Sequence, residues 1–437
     1  MGDVIANVIG ILIFIFLIFL SIGLHEFGHF ATAKHYGVKV TEFMIGFGPA
    51  VFAKVRGETR YGVKAIPVGG YVRIVGMYPP GRVDQPEPSG RFGQLIDEAR
   101  RQSLSEIEPG DENRVFYRLP VHQRIVVMMA GPFMNLILAF LLFGALLVGV
   151  GMPQPTASLE AVVPCVPTVT NPEGAASADG ECTGGTATTA AAAGLQPGDR
   201  IESIDGTPIA QWTDVGDALA AASGPTQVVV IRNGAPVTET VVIEPVPYPV
   251  FDDKGEPTGE TTTRAFLGIR PAVEYVGLPV SAVPAYMWDV TTLSVAALFT
   301  MPQRIYDLGV TLATNGERSI ESPVSVVGVT RLGGEIAATD EPMDAKIGSF
   351  LGLAASLNLF LFLFNLLPIL PLDGGHVAAA LYEGARRRWA SWRDRPDPGP
   401  VDTARLLPLT YSVAIVLISV GALVIWADLV KPITLGG

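Results

Sequence analysis

FLSIGLHEFGHFATAKHYGV, Phe19 to Val38, ends an apolar run with a His, a Glu and a second His. The run begins at Val4, and by Leu24 it has supplied the roughly 20 apolar residues that a helix needs to cross a bilayer. Its start, MGDVIANV, lacks the positive n-region of a secretory signal, and no small-residue cleavage site follows, so the segment reads as a retained helix. A charged side chain in hydrocarbon costs about 3 kcal/mol even on lenient insertion scales. Three ionisable groups at that depth therefore mark a site rather than an anchor.

His25, Glu26, Phe27, Gly28 and His29 spell HExxH, and two of the five histidines in the chain fall in it. On a helix, residues four apart share a face, so both imidazoles can bind one zinc ion while Glu26 sits close enough to act on water there. Two His and one carboxylate leave a fourth tetrahedral position open for that water, and the pattern predicts a metalloprotease. The plain alternative is a pair of histidines at a helix end. A third ligand is offered by FNLLPILPLDGGH, Phe364 to His376, which contains the acidic Asp373 and the polar Asn365. At about 1.5 Å per residue, His25 lies roughly 30 Å along the first helix, and Asp373 a similar distance along a helix starting at Phe350. His35, His122 and His376 are not needed for such a site, and Asn358 reads as a packing group.

Of the 437 residues, 49% are hydrophobic and 16% charged, a balance too apolar for a soluble protein of this length. The net charge of −12 argues against nucleic acid as a partner, and two cysteines are too few for a site built from CxxC pairs. Four segments pass the length test for a membrane helix: Val4 to Leu24, Ile125 to Gly151, Phe350 to Leu372 and Leu407 to Trp426. Phe30 to Arg124 carries 14 Lys and Arg, and GARRRWASWRDR follows the third segment. Met152 to Gly348 has 9 Lys and Arg against 24 Asp and Glu. The positive-inside tendency then places the first two regions in the cytoplasm and the acidic middle outside, with both termini extracytoplasmic. With that orientation the first and third helices both run inward, and His25 and Asp373 reach the same cytoplasmic-side depth.

Val38 to Met77 alternates apolar and polar residues, with Gly and Pro punctuation at Gly46, Gly48, Pro49, Gly69 and Gly70, which reads as hairpins. Open strands cannot face lipid, so this sheet is expected against the membrane surface or within protein. Pro79 to Asn113 reads as an exposed loop. Gly131-Pro132 is expected to kink or open the second helix, where Asn135 is a polar group inside the span. Pro279 to Met301, interrupted by Pro284 and Asp289, reads as an interfacial amphipathic helix rather than a fifth span.

The middle segment reads as a strand, a tight turn at Asp205-Gly206, a strand, a helix from Thr213 to Ala222 and two strands joined by Asn233-Gly234. Through AGLQPGD and IDG it resembles a PDZ domain of the bacterial protease type, over Ser158 to Val273. It departs from that pattern by an insertion between Pro164 and Ala190, and a cysteine pair bracketing most of it, Cys165 and Cys182, favours a disulfide outside the cytoplasm.

HExxH in a first membrane helix, NxxPxxxLDGG in a later one, and GFGP, IPVGGYV and MAGPxxN between them together resemble the site-2 protease family in its bacterial four-helix form. The resemblance runs from Leu24 to His376. It implies His25, His29 and Asp373 as zinc ligands, Glu26 as general base, and Asn365 as a group that binds the substrate backbone or steadies a developing oxyanion. It implies that Phe43 to Met77 presents substrate as a strand, with substrate contacts at Gly69 and Gly70, and at Gly194 and Leu195 of the PDZ segment. The expected substrates are single-pass membrane proteins already cut outside by another protease, anti-sigma factors above all. The alternative is an inactive membrane PDZ scaffold or zinc-dependent sensor, which would be expected to lack Glu26 or Asp373.

The fold class is then a polytopic α-helical membrane protein of the plasma membrane with four transmembrane helices, a membrane-associated β region and one extracytoplasmic α+β PDZ domain. The expected divisions are residues 1–31, the HExxH helix; 32–124, the cytoplasm-facing β region and loop; and 125–151, the second helix. They continue with 152–273, the PDZ domain with its insertion at 165–189; 274–349, a linker with the amphipathic helix; 350–376, the third helix; 377–405, a cytoplasmic loop; and 406–428, the fourth helix.

Overall fold

The computed structural model describes residues 2–80, 90–168, 174–175, 182, 186–243, 245–251 and 257–433. In chain order the elements are α1 (Gly2–His35), β1 (Val40–Arg56), β2 (Thr59–Ile74), α2 (Arg91–Ser105), α3 (Val121–Gly144), β3 (Met152–Val162), α4 (Thr189–Ala192), β4 (Arg200–Ile204), β5 (Thr207–Pro208), α5 (Trp212–Ala221), β6 (Gly224–Arg232), β7 (Ala235–Ile243), β8 (Pro245–Phe251), β9 (Pro257–Ala265), β10 (Ile269–Val276), α6 (Ala282–Thr314), α7 (Val326–Ala338), α8 (Met343–Asn365), α9 (Asp373–Trp392) and α10 (Leu407–Val430). They form two compact units, Met1–Val150 with Pro279–Gly437, and Gly151–Leu278.

In the first unit α1 shows why an apolar helix can still have an inside. Phe14, Ile18, Ser21, His29 and Ala33 are buried, at the three- and four-residue steps of one helix face. Val4, Val8, Leu12 and Phe16 on other faces are exposed, as lipid contact requires. The inner stripe meets small residues: a Cβ on Gly10 would fall 2.4 Å from the Gly333 carbonyl oxygen of α7, and one on Gly28 would fall 2.3 Å from the Ala130 carbonyl oxygen of α3. Backbones this close permit association without a hydrophobic driving force. Asn358 of α8 is buried and donates to Ser21 Oγ at 2.9 Å, the packing role expected of it.

Five described helices, not four, are long and apolar enough to cross a membrane: Val4–His35, Val121–Val150, Ala282–Thr314, Met343–Asn365 and Thr403–Val430. The additional one is α6, which runs on from the stretch expected to lie at the interface. Pro284 does not interrupt it, because it sits in the first turn, where the missing N–H would have no helical partner. Pro132 likewise lies within α3 without ending it.

Two segments expected as loops are helical. In α2, Ile96 and Ala99 pack against Ala404 and Leu407, and Arg100 Nη2 donates to Asp402 Oδ2 at 2.8 Å, so a tertiary partner rather than hydropathy decides the element. Residues 81–89 of that expected loop lie outside the described residues. The third membrane helix was expected to run on to Leu372, but α8 stops at Asn365, since Pro368 and Pro371 cannot donate backbone hydrogen bonds. Helix resumes as α9 at Asp373. There Glu383, fully buried, accepts from Arg124 of α3, from Arg387 at 3.0 Å and from the Val401 N–H at 2.8 Å, which fixes α9 against α3.

β1 and β2 form an irregular antiparallel hairpin with several register shifts. Phe47, Val51, Phe52, Val55 and Ile66 are exposed along it. Residues 60–63 pair with both 42–45 and 52–55, so the turn carrying Glu58 folds back beside Val40, and this end is tied to the loop before α3: Lys39 Nζ pairs with Asp111 at 2.7 Å, and Arg114 with Glu58 at 2.7 Å. Hydrogen bonds from Arg114 and Lys34 hold the Glu58 carboxyl at about 2.

The second unit is a sheet of order β10-β3-β4-β6-β7, with β5 paired to β4 and a separate β8-β9 pair. The two tight turns fall where expected, with positive φ at Asp205 and Gly206 and again at Asn233 and Gly234. Its core gathers Leu159, Leu195, Ile201, Ile204, Val228 and Val230. Cys165 and Cys182 are disulfide-bonded, their Cα atoms 5.5 Å apart. Most of the insertion at 165–189 lies outside the described residues.

Asp199, 1% exposed, receives Arg232 Nε at 2.8 Å and Nη2 at 2.7 Å. That guanidinium holds its carboxyl below the usual Asp value. The resulting stability is fully present above pH 4 and is lost as pH falls through the depressed pKa. D199N should weaken this link by about 2 kcal/mol. In hydrogen exchange on the whole protein at pH 7, amides of β4 and β6 should exchange at least roughly ten-fold faster. The difference from wild type should shrink in samples acidified toward pH 2.

Candidate metal centre

His25, Glu26 and His29 occupy the last third of α1, and Asp373 opens α9. His25 Nε2 lies 3.2 Å and His29 Nε2 3.4 Å from Asp373 Oδ2, and the two imidazole nitrogens are 3.3 Å apart. All three candidate ligand atoms lie within 4.8 Å of one another, and among the described residues no other group of three His, Cys, Asp or Glu does so.

The protonation pattern around these atoms decides what they can hold. His29 Nδ1 is 2.8 Å from the Val127 carbonyl oxygen, which can only accept, so Nδ1 carries a proton and the neutral ring presents its lone pair at Nε2. Asp373 Oδ2 is buried, with the two imidazole Nε2 atoms as its polar neighbours. With both rings neutral and protonated at Nδ1, three lone pairs would converge on one point, an arrangement that a cation among them relieves. Two imidazoles and a carboxylate suit zinc, and the Val127 carbonyl orients its ligand as such partners do in metal sites.

Two glycines make room. A Cβ at residue 131 would fall 2.2 Å from His29 Nε2, so only glycine lets α3 pass beside that ring. Gly28, between the two histidines, admits the Ala130 carbonyl. The roles of Gly131, Gly28 and Val127 were not read from the sequence, although MAGPxxN and the HExxH motif contain the two glycines and Val127 lies just before.

The site opens into a cavity of about 360 Å³ whose wall includes His25, Glu26, His29, Gly70, Asn365 and Asp373. Asn365 Nδ2 donates to the Leu361 carbonyl at 3.0 Å, within its own helix. A Cβ on Gly70 would fall 2.9 Å from Glu26 Cγ, so glycine leaves space for the Glu26 side chain. Gly69, at φ +89°, faces the Phe47 ring instead and is not on the cavity wall. His376 lines the cavity but is not one of the three clustered groups, and His35 and His122 do neither. Asn135 is buried in α3, with no partner for Oδ1 among the described residues. In the second unit, the Gly194 carbonyl accepts from Arg232 Nη2 at 2.9 Å and the Leu195 side chain is in the core, while the Gly194 and Leu195 N–H groups donate to the Ala191 and Ala190 carbonyls at 3.2 and 3.0 Å, so neither backbone donor of that pair is free for a ligand.

The sequence pattern of Peptidase family M50 matches residues 13–395. The chain belongs to this family. It is the site-2 protease family that the motifs resemble. Zinc metalloprotease Rip1 of Mycobacterium bovis is 33% identical over 436 residues, covering 98% of this chain and 99% of that one. Its namesake in Mycolicibacterium smegmatis is 33% identical over 440 residues, covering 98% of each. Metalloprotease MmpA of Caulobacter vibrioides is 28% identical over 393 residues, 86% of each.

The tight passage at residue 131 gives a direct test. G131A should displace the His29 ring and lower zinc affinity by roughly 10- to 100-fold, the usual effect of disturbing a ligand's support. Zinc retained by purified protein against a graded chelator measures this. G421A, where an added Cβ meets nothing within 4 Å, should retain zinc like wild type.

Proposed function

We propose that this chain is an intramembrane zinc endopeptidase that cuts single-pass membrane proteins after another protease has shortened them outside, with anti-sigma factors as the leading substrate class. The observation that carries the reading is the convergence of His25, His29 and Asp373 on a cavity that also holds Glu26. As a member of a peptidase family whose relatives are named zinc metalloproteases, the chain is a zinc metalloprotease. When bound by these three ligands, the ion would polarise the scissile carbonyl and acidify water.

The remaining work falls to the chain's own groups. The Glu26 carboxylate takes a proton from the attacking water and returns it to the nitrogen of the leaving amine. The Asn365 amide, now bonded within its helix, lies on the same wall and can turn its N–H to the substrate carbonyl or backbone. A substrate helix hides its carbonyls in hydrogen bonds and must unwind before it can be cut. The β1-β2 hairpin pairs only with itself among the described strands, so it has edges to which an extended segment can add. Gly70, beside Glu26, is where such a strand would pass the base.

The topology we favour has α1, α3, α8 and α10 crossing the membrane and α6 lying at its surface. Between Asp289 and Arg304 of α6 only 14 uncharged residues intervene, short of the roughly 20 that a span needs. The loop charges then put the metal centre toward the cytoplasm and both termini outside. Residues 151–278 would act as an extracytoplasmic PDZ domain that filters substrates by size or captures the new C-terminus.

E26Q should cut cleavage of a membrane-anchored reporter by roughly a hundred-fold or more while zinc content stays at the wild-type level. Undiminished cleavage would overturn the role of Glu26, and a chain that binds partner tails without ever cutting a reporter would be the scaffold instead.

A further inference from the structure

The outer face of α9 takes no part in the metal centre. Leu381, Tyr382, Arg388, Trp389, Trp392 and Arg393 are exposed along it, at the seven- and eight-residue steps that mark one stripe of a helix. Ala380, Glu383 and Ala390 on the opposite stripe are buried. Trp392 is 76% and Tyr382 61% exposed, too much aromatic surface for a face meant for water alone.

Charge on this face is separated from the acidic groups of the same segment. Glu383 and Asp397 both pair with Arg387, turned to the inner side. Asp394 remains against Arg388, Arg393 and Arg395, of which Arg393 lies 4.4 Å from the Trp389 ring centroid. Arg388 and Arg395 have no carboxylate partner among the described residues. The whole chain carries a net charge of −12, so this positive excess belongs to the face and not to the protein.

Position supplies the remaining argument. Residues 366–372 alone separate α9 from α8, and residues 393–402 separate it from the helical stretch that includes α10. Both of those are long and apolar enough to span, so α9 is tethered to the bilayer surface at each end. Trp and Tyr rings interleaved with Arg are the chemistry of that surface: the rings sit at headgroup depth and guanidinium forks take phosphate. We propose that the outer face of α9 docks on anionic phospholipid headgroups.

Native mass spectrometry of the full chain, released from mild detergent after incubation with equal phosphatidylglycerol and phosphatidylcholine, tests this. Wild type should retain the anionic lipid over the zwitterionic one by about ten-fold. The triple variant R388Q, R393Q and R395Q should retain the two about equally, and the corresponding triple Lys variant should keep most of the preference. W389A with W392A should lower retention of both lipids. A wild type without preference, or a triple Gln variant that keeps it, would overturn the proposal. A dimer mass that disappears in the triple Gln variant would do so too, by assigning the face to a second copy of the chain.

Discussion

Gly28 of α1 lies against the Ala130 carbonyl of α3, and the His29 ring fits only because residue 131 is also glycine. That backbone contact brings the Val127 carbonyl to His29 Nδ1, which fixes a proton there, so that the neutral ring would offer Nε2 to a metal. Shape thus sets electronics here: without the close approach the imidazole would have neither its position nor its lone pair turned the right way. Asp373 reaches the same point on a different support, the Glu383–Arg124 pair that binds α9 to α3. Helix α3 contributes no ligand, yet both halves of the site are registered on it.

The candidate ligands were legible in the sequence because each lies in a short local motif. His25 and His29 share a face by helix periodicity, and Asp373 is the one acidic residue in FNLLPILPLDGGH. The tight turns at Asp205-Gly206 and Asn233-Gly234 were legible for the same reason, since positive φ is a property of the dipeptide. What escaped depends on partners far along the chain. Gly131 is an ordinary glycine until His29 lies beside it, and α2 looks like a polar loop until Ala404 and Asp402 offer it a surface.

The limit of the third helix was misjudged for a different reason. Phe350 to Leu372 is apolar almost throughout, so hydropathy alone extends the helix to its end. Pro368 and Pro371 break the hydrogen-bond ladder inside that run, and seven residues pass without helix before Asp373. The same break places Asp373 in the first turn of a new helix, where it can meet α1. In α6 the signals conflict in the opposite sense, because its length and apolar content fit a span while its charges divide it into runs too short to be one.

The distance along the chain between the ligands also sets the order in which the site comes into being. His25, Glu26 and His29 leave the ribosome early, but Asp373 follows 344 residues after His29. At roughly 5–20 residues per second, the nascent chain spends on the order of 20 s to a minute with Glu26 and the two imidazoles but without Asp373, the candidate third ligand. A chain truncated anywhere in that interval carries the first motif in full and still lacks the candidate third ligand. Any activity that needs all three candidate groups therefore begins only late in synthesis.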